Sequence, residues 1–349
     1  MLHNFTPWQA SVFEGWQADG TASHVVLVKQ SFEFDEKGNT SLMEPCVEIV
    51  MADEYSGDPT SEPLVAVNEQ VAFKQGFEVY GNFTAYPPKG KTARVIEVEL
   101  GLTANDTPII KKRLRLTGER KWRRSLLGPV ATDPSPITPT AICYSRAFGG
   151  KAHHDQSDYS LENPIGVGFK LKNKHAVGQP LPAIEYANEV LRKPSHRVSV
   201  AGFSAIPSHW SPRIELMPDI DEQALMAGKY PFKTSLASNF YNTAPADQQT
   251  KQVFTKGWAF SLSGLYPLQE YGQQQTVELP VLKPLVQVAN TLTRHDIDMH
   301  CDTLVIDSDA QCFSLLWRGH INSDNVASSS NIIVAEQGGK DAVRYSLSC

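Results

Sequence analysis

Between residues 21 and 117, apolar and polar residues alternate with a period of two, and this pattern restricts the possible fold more than any other feature of the chain. In residues 24–34, Val26, Val28, Gln30, Phe32 and Phe34 fall on one face, with Lys29, Ser31 and Glu33 opposite. Residues 77–86 repeat the pattern. So do residues 93–102, where Val95, Glu97 and Glu99 face away from Arg94, Ile96, Val98 and Leu100. A period of two is that of a strand with one face in a core and the other toward water. Lys37-Gly38-Asn39 and Tyr86-Pro87-Pro88-Lys89-Gly90 supply turn chemistry between the runs. Residues 1–127 are therefore expected to form a β-rich domain, either a sandwich or a closed sheet.

Pro129, Pro134, Pro136 and Pro139 crowd the stretch that follows, which suits neither a helix interior nor a central strand. A domain boundary is expected there, with a second domain over residues 128–320. Its first half is rich in Gly, Pro, Asn and aromatic residues and offers two short helix candidates, residues 183–191 and 221–229; the second has an acidic start that suits the helix dipole. Strand patterns return at residues 276–288, 303–306 and 311–317, and residues 321–349 read as a polar tail. The expected class is mainly β: a sandwich-like N-terminal domain, an irregular loop-rich centre with few short helices, and β-strands returning near the C-terminus.

Of the 349 residues, 41% are apolar, enough for a substantial core, and 38 acidic against 32 basic residues give a formal charge of -6. There is no basic excess to neutralise phosphates, so no nucleic-acid partner is expected. Lys111, Lys112, Arg113 and Arg115, alternating with Leu114 and Leu116, read as a solvated strand face. No run of 18 apolar residues and no signal-peptide pattern occurs, so membrane insertion is not expected and a cytoplasmic location is. Five scattered cysteines without a CxxC spacing agree with a reducing compartment.

Residues 239–249 are polar and broken by Pro245, too irregular for a strand and too rich in hydrogen-bonding side chains for an ordinary linker. They suit either a fixed recognition loop or an active-site loop. Asp247 is the one carboxylate there and no base or nucleophile is near it in sequence, so the fixed loop is the better reading, with Asn242 and Asp247 tying down turns around Phe240 and Tyr241. Residues 85–92 approach a phosphate-loop pattern, but Pro87 and Pro88 lack the N–H groups such a loop aims at phosphates. Asp296, Asp298, His300 and Asp302 at a spacing of two would share one strand face. The first three, with Asp247, are the residues a metal-assisted hydrolase or carbohydrate-active enzyme would use. A wet sheet face is the plainer reading, and no second segment completes a metal shell. No catalytic residue, metal ligand or cofactor site is assigned.

A series of short motifs runs in order through the chain. Ala52-Asp53-Glu54-Tyr55-Ser56-Gly57-Asp58-Pro59 is followed by Phe73-Lys74 and Gly118-Glu119-Arg120-Lys121-Trp122. Then come Ser145-Arg146-Ala147-Phe148-Gly149-Gly150, Glu162-Asn163-Pro164-Ile165-Gly166, Trp210-Ser211-Pro212-Arg213, the 239–249 segment with Asn242, Pro245, Asp247 and Gln248, and finally Asp302-Thr303 and Trp317-Arg318. The series resembles the adaptor, or effector-chaperone, proteins of bacterial type VI secretion, a family long labelled a domain of unknown function. The resemblance implies a non-enzymatic protein that binds a secreted toxic effector in the cytoplasm, often one with a PAAR-type tip domain, and helps load it onto the VgrG spike. Such a surface needs aromatic anchors among amides, and Phe148, Tyr159, Trp210, Phe240 and Tyr241 are the candidates for contact with a partner.

Overall fold

In the computed structural model, which describes residues 1–267, 273–289, 294–322 and 330–337, the alternating runs are strands, and the protein is mainly β, at 42% strand and 6% helix. Three sheets carry the architecture. The largest has the order Gln249–Thr250, Phe77–Asn82, His300–Asp307, Cys312–Asn322, Ala22–Phe34, Gln9–Trp16, with Thr40–Leu42 added beside Ala22–Phe34. A five-stranded sheet runs Ile184–Tyr186, Thr107–Thr117, Val95–Ala104, Trp258–Ser263, Gln274–Glu278. The third joins Leu2–Asn4, Asn331–Glu336, Pro284–Ala289 and Arg294–Ile297.

The inner faces of the two larger sheets meet in one apolar core, to which Val286, Val288, Ile332 and Val334 of the third also contribute. Aromatic rings interlock across it: Phe34 lies edge-on to Phe260 at 5.6 Å, Phe313 to Phe260 at 5.4 Å, and Phe77 to Trp258 at 5.0 Å. Such offset and edge-to-face pairs add to what burial alone supplies. The inward residues are those the alternation predicts, among them Val26, Val28, Phe32 and Phe34, and Val98 and Leu100.

Strands from both sides of residues 128–140 pair within the same sheets. Cys312–Asn322 is in register with Ala22–Phe34 from Cys312 opposite Glu33 to Asn322 opposite Ser23, and His300–Asp307 lies parallel to Phe77–Asn82. The proline-rich stretch is thus a connection that contributes Ile137 to the shared core, and the halves 1–127 and 128–320 hold two sheets in common.

Two local expectations are corrected. Residues 183–191 are not helical: Ile184–Tyr186 pairs with Leu114, Arg115 and Leu116, because Glu185 is drawn in by Arg115 and Arg120 while Ile184 enters the core. Part of the expected polar tail is the strand Asn331–Glu336, whose Ile332, Ile333, Val334 and Ala335 are buried. Ile321 and Asn322 end the strand Cys312–Asn322, and residues 323–329 and 338–349 of that tail, Cys349 included, lie outside the described residues. The second expected helix forms as Glu222–Met226, capped by the Asp221 carboxylate, which accepts from the Gln223 and Ala224 amides at 3.1 Å each. No helix among the described residues is long and apolar enough to cross a membrane.

Candidate functional site

The 239–249 segment is fixed by its own side chains. Asn242 makes a two-point clamp on Gln75, its Oδ1 accepting from the Gln75 N–H at 2.9 Å and its Nδ2 donating to the Gln75 carbonyl at 3.1 Å. The Thr243 and Ala244 amides donate to Glu78 Oε2 at 2.8 and 3.1 Å, and the Thr243 hydroxyl donates to Oε1 at 2.9 Å. Pro245 precedes the short 3-10 turn Ala246–Gln248, and Gln248, fully buried, donates to the carbonyls of Val79 and Phe203 at 2.7 and 2.9 Å. Each buried polar group thus finds a partner, which makes the loop a rigid part of the fold.

Beneath it, ion pairs occupy the outer face of the seven-stranded sheet. Glu78 pairs with Lys74, Asp302 with Arg318, and Glu69 with Lys29 at 2.8 Å, all with side chains under 10% exposed. Burial works against the Glu78 charge, but Lys74 and the loop amides overcome it and hold the carboxyl below its usual value. Arg318 also donates to the carbonyls of Val71 and Glu69, and Lys29 to that of Glu48, so residues 43–75 are strapped across the sheet by buried charge. Trp317 points to the opposite face, its indole N–H donating to Gln30 Oε1 at 2.9 Å. Sequence reasoning did not identify Lys29, Glu69, Lys74 and Glu78 as buried ion pairs. Lys29 and Glu78 are charges at strand positions that a wet face would equally explain, and Glu69 and Lys74 lie outside the strands.

A second charged centre joins the loop to the five-stranded sheet. Lys112 shares the inward face with Ile110, Leu114 and Leu116, whereas Lys111 and Arg113 point outward to Glu99. The expected solvated face therefore excludes Lys112, which is 2% exposed. Its Nζ donates to Asp247 Oδ1 and Gln248 Oε1, both at 2.8 Å, and Asp247 Oδ2 accepts from the Tyr186 hydroxyl at 2.9 Å. Burial lowers the Lys112 pKa to about 8 against the opposing pull of Asp247. The group borders an open cleft of about 600 Å³ lined also by Glu97, Arg113 and Asn188.

Phe240 and Tyr241 belong to a chain of half-buried rings. Trp16, Tyr230, Phe232, Phe240, Tyr241 and Phe73 stand edge to face in that order, with centroids 5.9, 5.5, 6.0, 4.8 and 5.0 Å apart. This ring chain is the seat of a projecting arm. The arm closes where Asp221 N–H donates to the Pro231 carbonyl and Lys233 N–H to that of Asp219, and it carries the helix Glu222–Met226. Ile214, Met217, Ile220, Leu225 and Met226 along residues 214–226 are all exposed, Met226 at 90%.

The other expected residues divide between core and surface. Phe148 is 3% exposed in a cluster with Trp122, Leu171 and Leu191, and Trp210 is 2% exposed against the Tyr144 ring at 5.6 Å; both are packing residues and neither is open to a partner. Tyr159 is 44% exposed at the end of Asp155–Tyr159. Asn163 is buried and its Nδ2 ties the carbonyls of Tyr144 and Phe148 together at 2.8 and 3.0 Å, with Pro164 following in the turn. Gly149 lies against it at φ +148°, and a Cβ there would fall 2.3 Å from the Asn163 carbonyl oxygen, so only glycine fits. Arg146 is exposed, and its carbonyl accepts from Ala183 N–H. Asp53 accepts from the Asn68 amide at 2.9 Å, Tyr55 faces the His209 ring at 6.2 Å, Gly57 closes on Glu62, and Asp58 accepts from the amide and hydroxyl of Thr60.

The expected common face of Asp296, Asp298, His300 and Asp302 does not form. Asp296 lies on Arg294–Ile297 and accepts from Gln287, Asp298 sits in the connection between Lys283 and His300, and Asp302 is inside with Arg318 on a different sheet. The strand is interrupted at Asp298 and Met299, which ends the period of two. Asp247 is engaged elsewhere, by Lys112 and Tyr186. Among the described residues no three His, Cys, Asp or Glu side chains are gathered in a way that could hold a metal ion.

A family model described as an uncharacterized protein conserved in bacteria (DUF2169) matches residues 19–318. No curated protein and no solved structure matches the chain.

Proposed function

The chain belongs to the DUF2169 family of uncharacterized proteins conserved in bacteria, and we propose that it is a non-enzymatic adaptor that binds a type VI secretion effector in the cytoplasm and helps load it onto the VgrG spike. The arm carries this reading: Ile220, Leu225 and Met226 are exposed on it, Ile214 and Met217 are exposed just before it, and six interlocked rings form its seat. Large apolar side chains exposed close together in sequence favour protein contact, and rigid aromatic support reduces the entropy lost on binding. The ordered motifs add to it, since the residues they contain hold the loops still: Asn163 and Gly149, Asn242 and Gln248, Asp302 and Arg318. Where the effector carries a PAAR-type tip domain, the adaptor would bring effector and tip to the spike together.

Co-purification of the tagged protein from its own bacterium tests the proposal. A toxin or spike protein should be recovered with it, and deletion of the adaptor should stop secretion of that toxin. A clean monomer, together with undiminished toxin secretion in the deletion strain, would overturn it.

A further inference from the structure

Residues 43–67 do more than cross the sheet. Between them and the strands beneath lies a cleft of about 330 Å³ whose walls include Met43, Val47, Val50, Leu64, Val65 and Val305. That is at the lower end of the roughly 300–1,000 Å³ of ligand pockets, and the lining is mainly aliphatic. One ammonium reaches its wall, Lys29, and it is already paired with Glu69. Asp307 also lines it and accepts from the Asp309 and Ala310 amides, so the interior offers no free cation to an anionic ligand, and an aliphatic group fits it best.

The rim is different. From residue 38 to residue 73 there are seven carboxylates, Glu44, Glu48, Asp53, Glu54, Asp58, Glu62 and Glu69, and no Lys, Arg or His. Glu69 is consumed inside by Lys29. Glu44, Glu48, Glu54, Asp58 and Glu62 are exposed, and none is in an ion pair with a cation among the described residues. Glu44 and Glu48 adjoin the wall residues Met43 and Val47, and Glu62 stands two residues before Leu64. An aliphatic slot with a one-sign acidic border is complementary to a segment that alternates aliphatic and cationic side chains.

We propose that this cleft docks a basic segment of a protein partner by taking in an aliphatic anchor side chain while Glu44, Glu48 and Glu62 face the segment's lysines and arginines. It rests on the adaptor reading only in assigning the segment to a protein partner. The cleft and the arm differ in chemistry, one acidic and concave, the other apolar and projecting, so they would engage different parts of a client or two different clients.

Fluorescence anisotropy of the full chain with labelled peptides tests the site directly. A Lys-Leu-Arg-Leu-Lys peptide should bind, weaken at least tenfold between low and high salt, and bind at least tenfold more tightly than Lys-Ser-Arg-Ser-Lys, with Glu-Leu-Glu-Leu-Glu not binding. Val65→Trp, at an exposed wall position, should block the slot, and Glu44→Lys with Glu48→Lys should weaken binding tenfold or more; circular dichroism of these surface variants checks that the fold is kept. Equal affinity for the leucine and serine peptides, or binding untouched by both variants, would overturn the proposal. So would a concentration-dependent dimer abolished by Val65→Trp, which would assign the cleft to a second copy of the chain. The peptide measurement needs no secretion machinery, so peptide binding beside failed effector recovery would remove the adaptor reading and leave the cleft. Effector recovery without peptide binding would remove the cleft alone.

Discussion

Glu78 shows how single side chains hold this fold together. It sits fully buried on the sheet with an ion pair on one side and three loop donors on the other. Removing one partner of a buried pair leaves an uncompensated charge, so Glu78→Ala should cost about 3–5 kcal/mol in urea denaturation, well beyond an ordinary surface change. Lys112 makes a pH prediction of opposite character. Its folded pKa, about 8, is below that of an ordinary lysine, so between pH 8 and the usual lysine range the unfolded chain binds more protons and stability rises with pH. Comparison of urea midpoints across that range with those of Lys112→Met should show a flatter profile in the variant. Sequence reading expected Asn242 and Asp247 to tie down turns locally, because Asn and Asp side chains often bond to nearby backbone. Instead Asn242 clamps Gln75 and Asp247 reaches Lys112 and Tyr186, contacts between distant segments that no local pattern encodes.

At the scale of elements, strands were legible wherever one face is buried and the other wet, because the period of two is then written in the residue types. Residues 183–191 show the limit of that legibility. Their helix-compatible composition gives way to an edge strand because Glu185 finds two arginines and Ile184 finds the core. The helix Glu222–Met226 was legible from its acidic cap, but its exposure was not, since Leu225 and Met226 look the same in sequence whether they face a core or a partner. The arm's two roles separate cleanly by mutation. Leu225→Asp with Met226→Asp should leave stability within roughly 0.5 kcal/mol, as for surface changes away from special features, and abolish effector recovery. Phe232→Ala, which breaks the ring chain between Tyr230 and Phe240, should lower recovery by loosening the arm and also raise its protease susceptibility.

For the whole molecule, the mainly β class was readable from the sequence, whereas the pairing order was not, because register between segments far apart in the chain is set by the final assembly. Ala22–Phe34 finds its neighbour in Cys312–Asn322, and Phe77–Asn82 finds its own in His300–Asp307. A fragment of residues 1–127 should accordingly show no cooperative unfolding transition, while the full chain does. The same closure explains how the molecule can offer an arm and a cleft without yielding its core: loops are strapped by buried ion pairs, and the apolar surface left over is confined to outward elements. The most direct measurement of the central claim is quantitative recovery of a type VI effector from the native bacterium by the tagged full chain, wild type beside Leu225→Asp/Met226→Asp, at equal folded concentration. The adaptor account predicts stoichiometric capture by the wild type and at least tenfold less by the variant; no capture by the wild type, or equal capture by both, would contradict it.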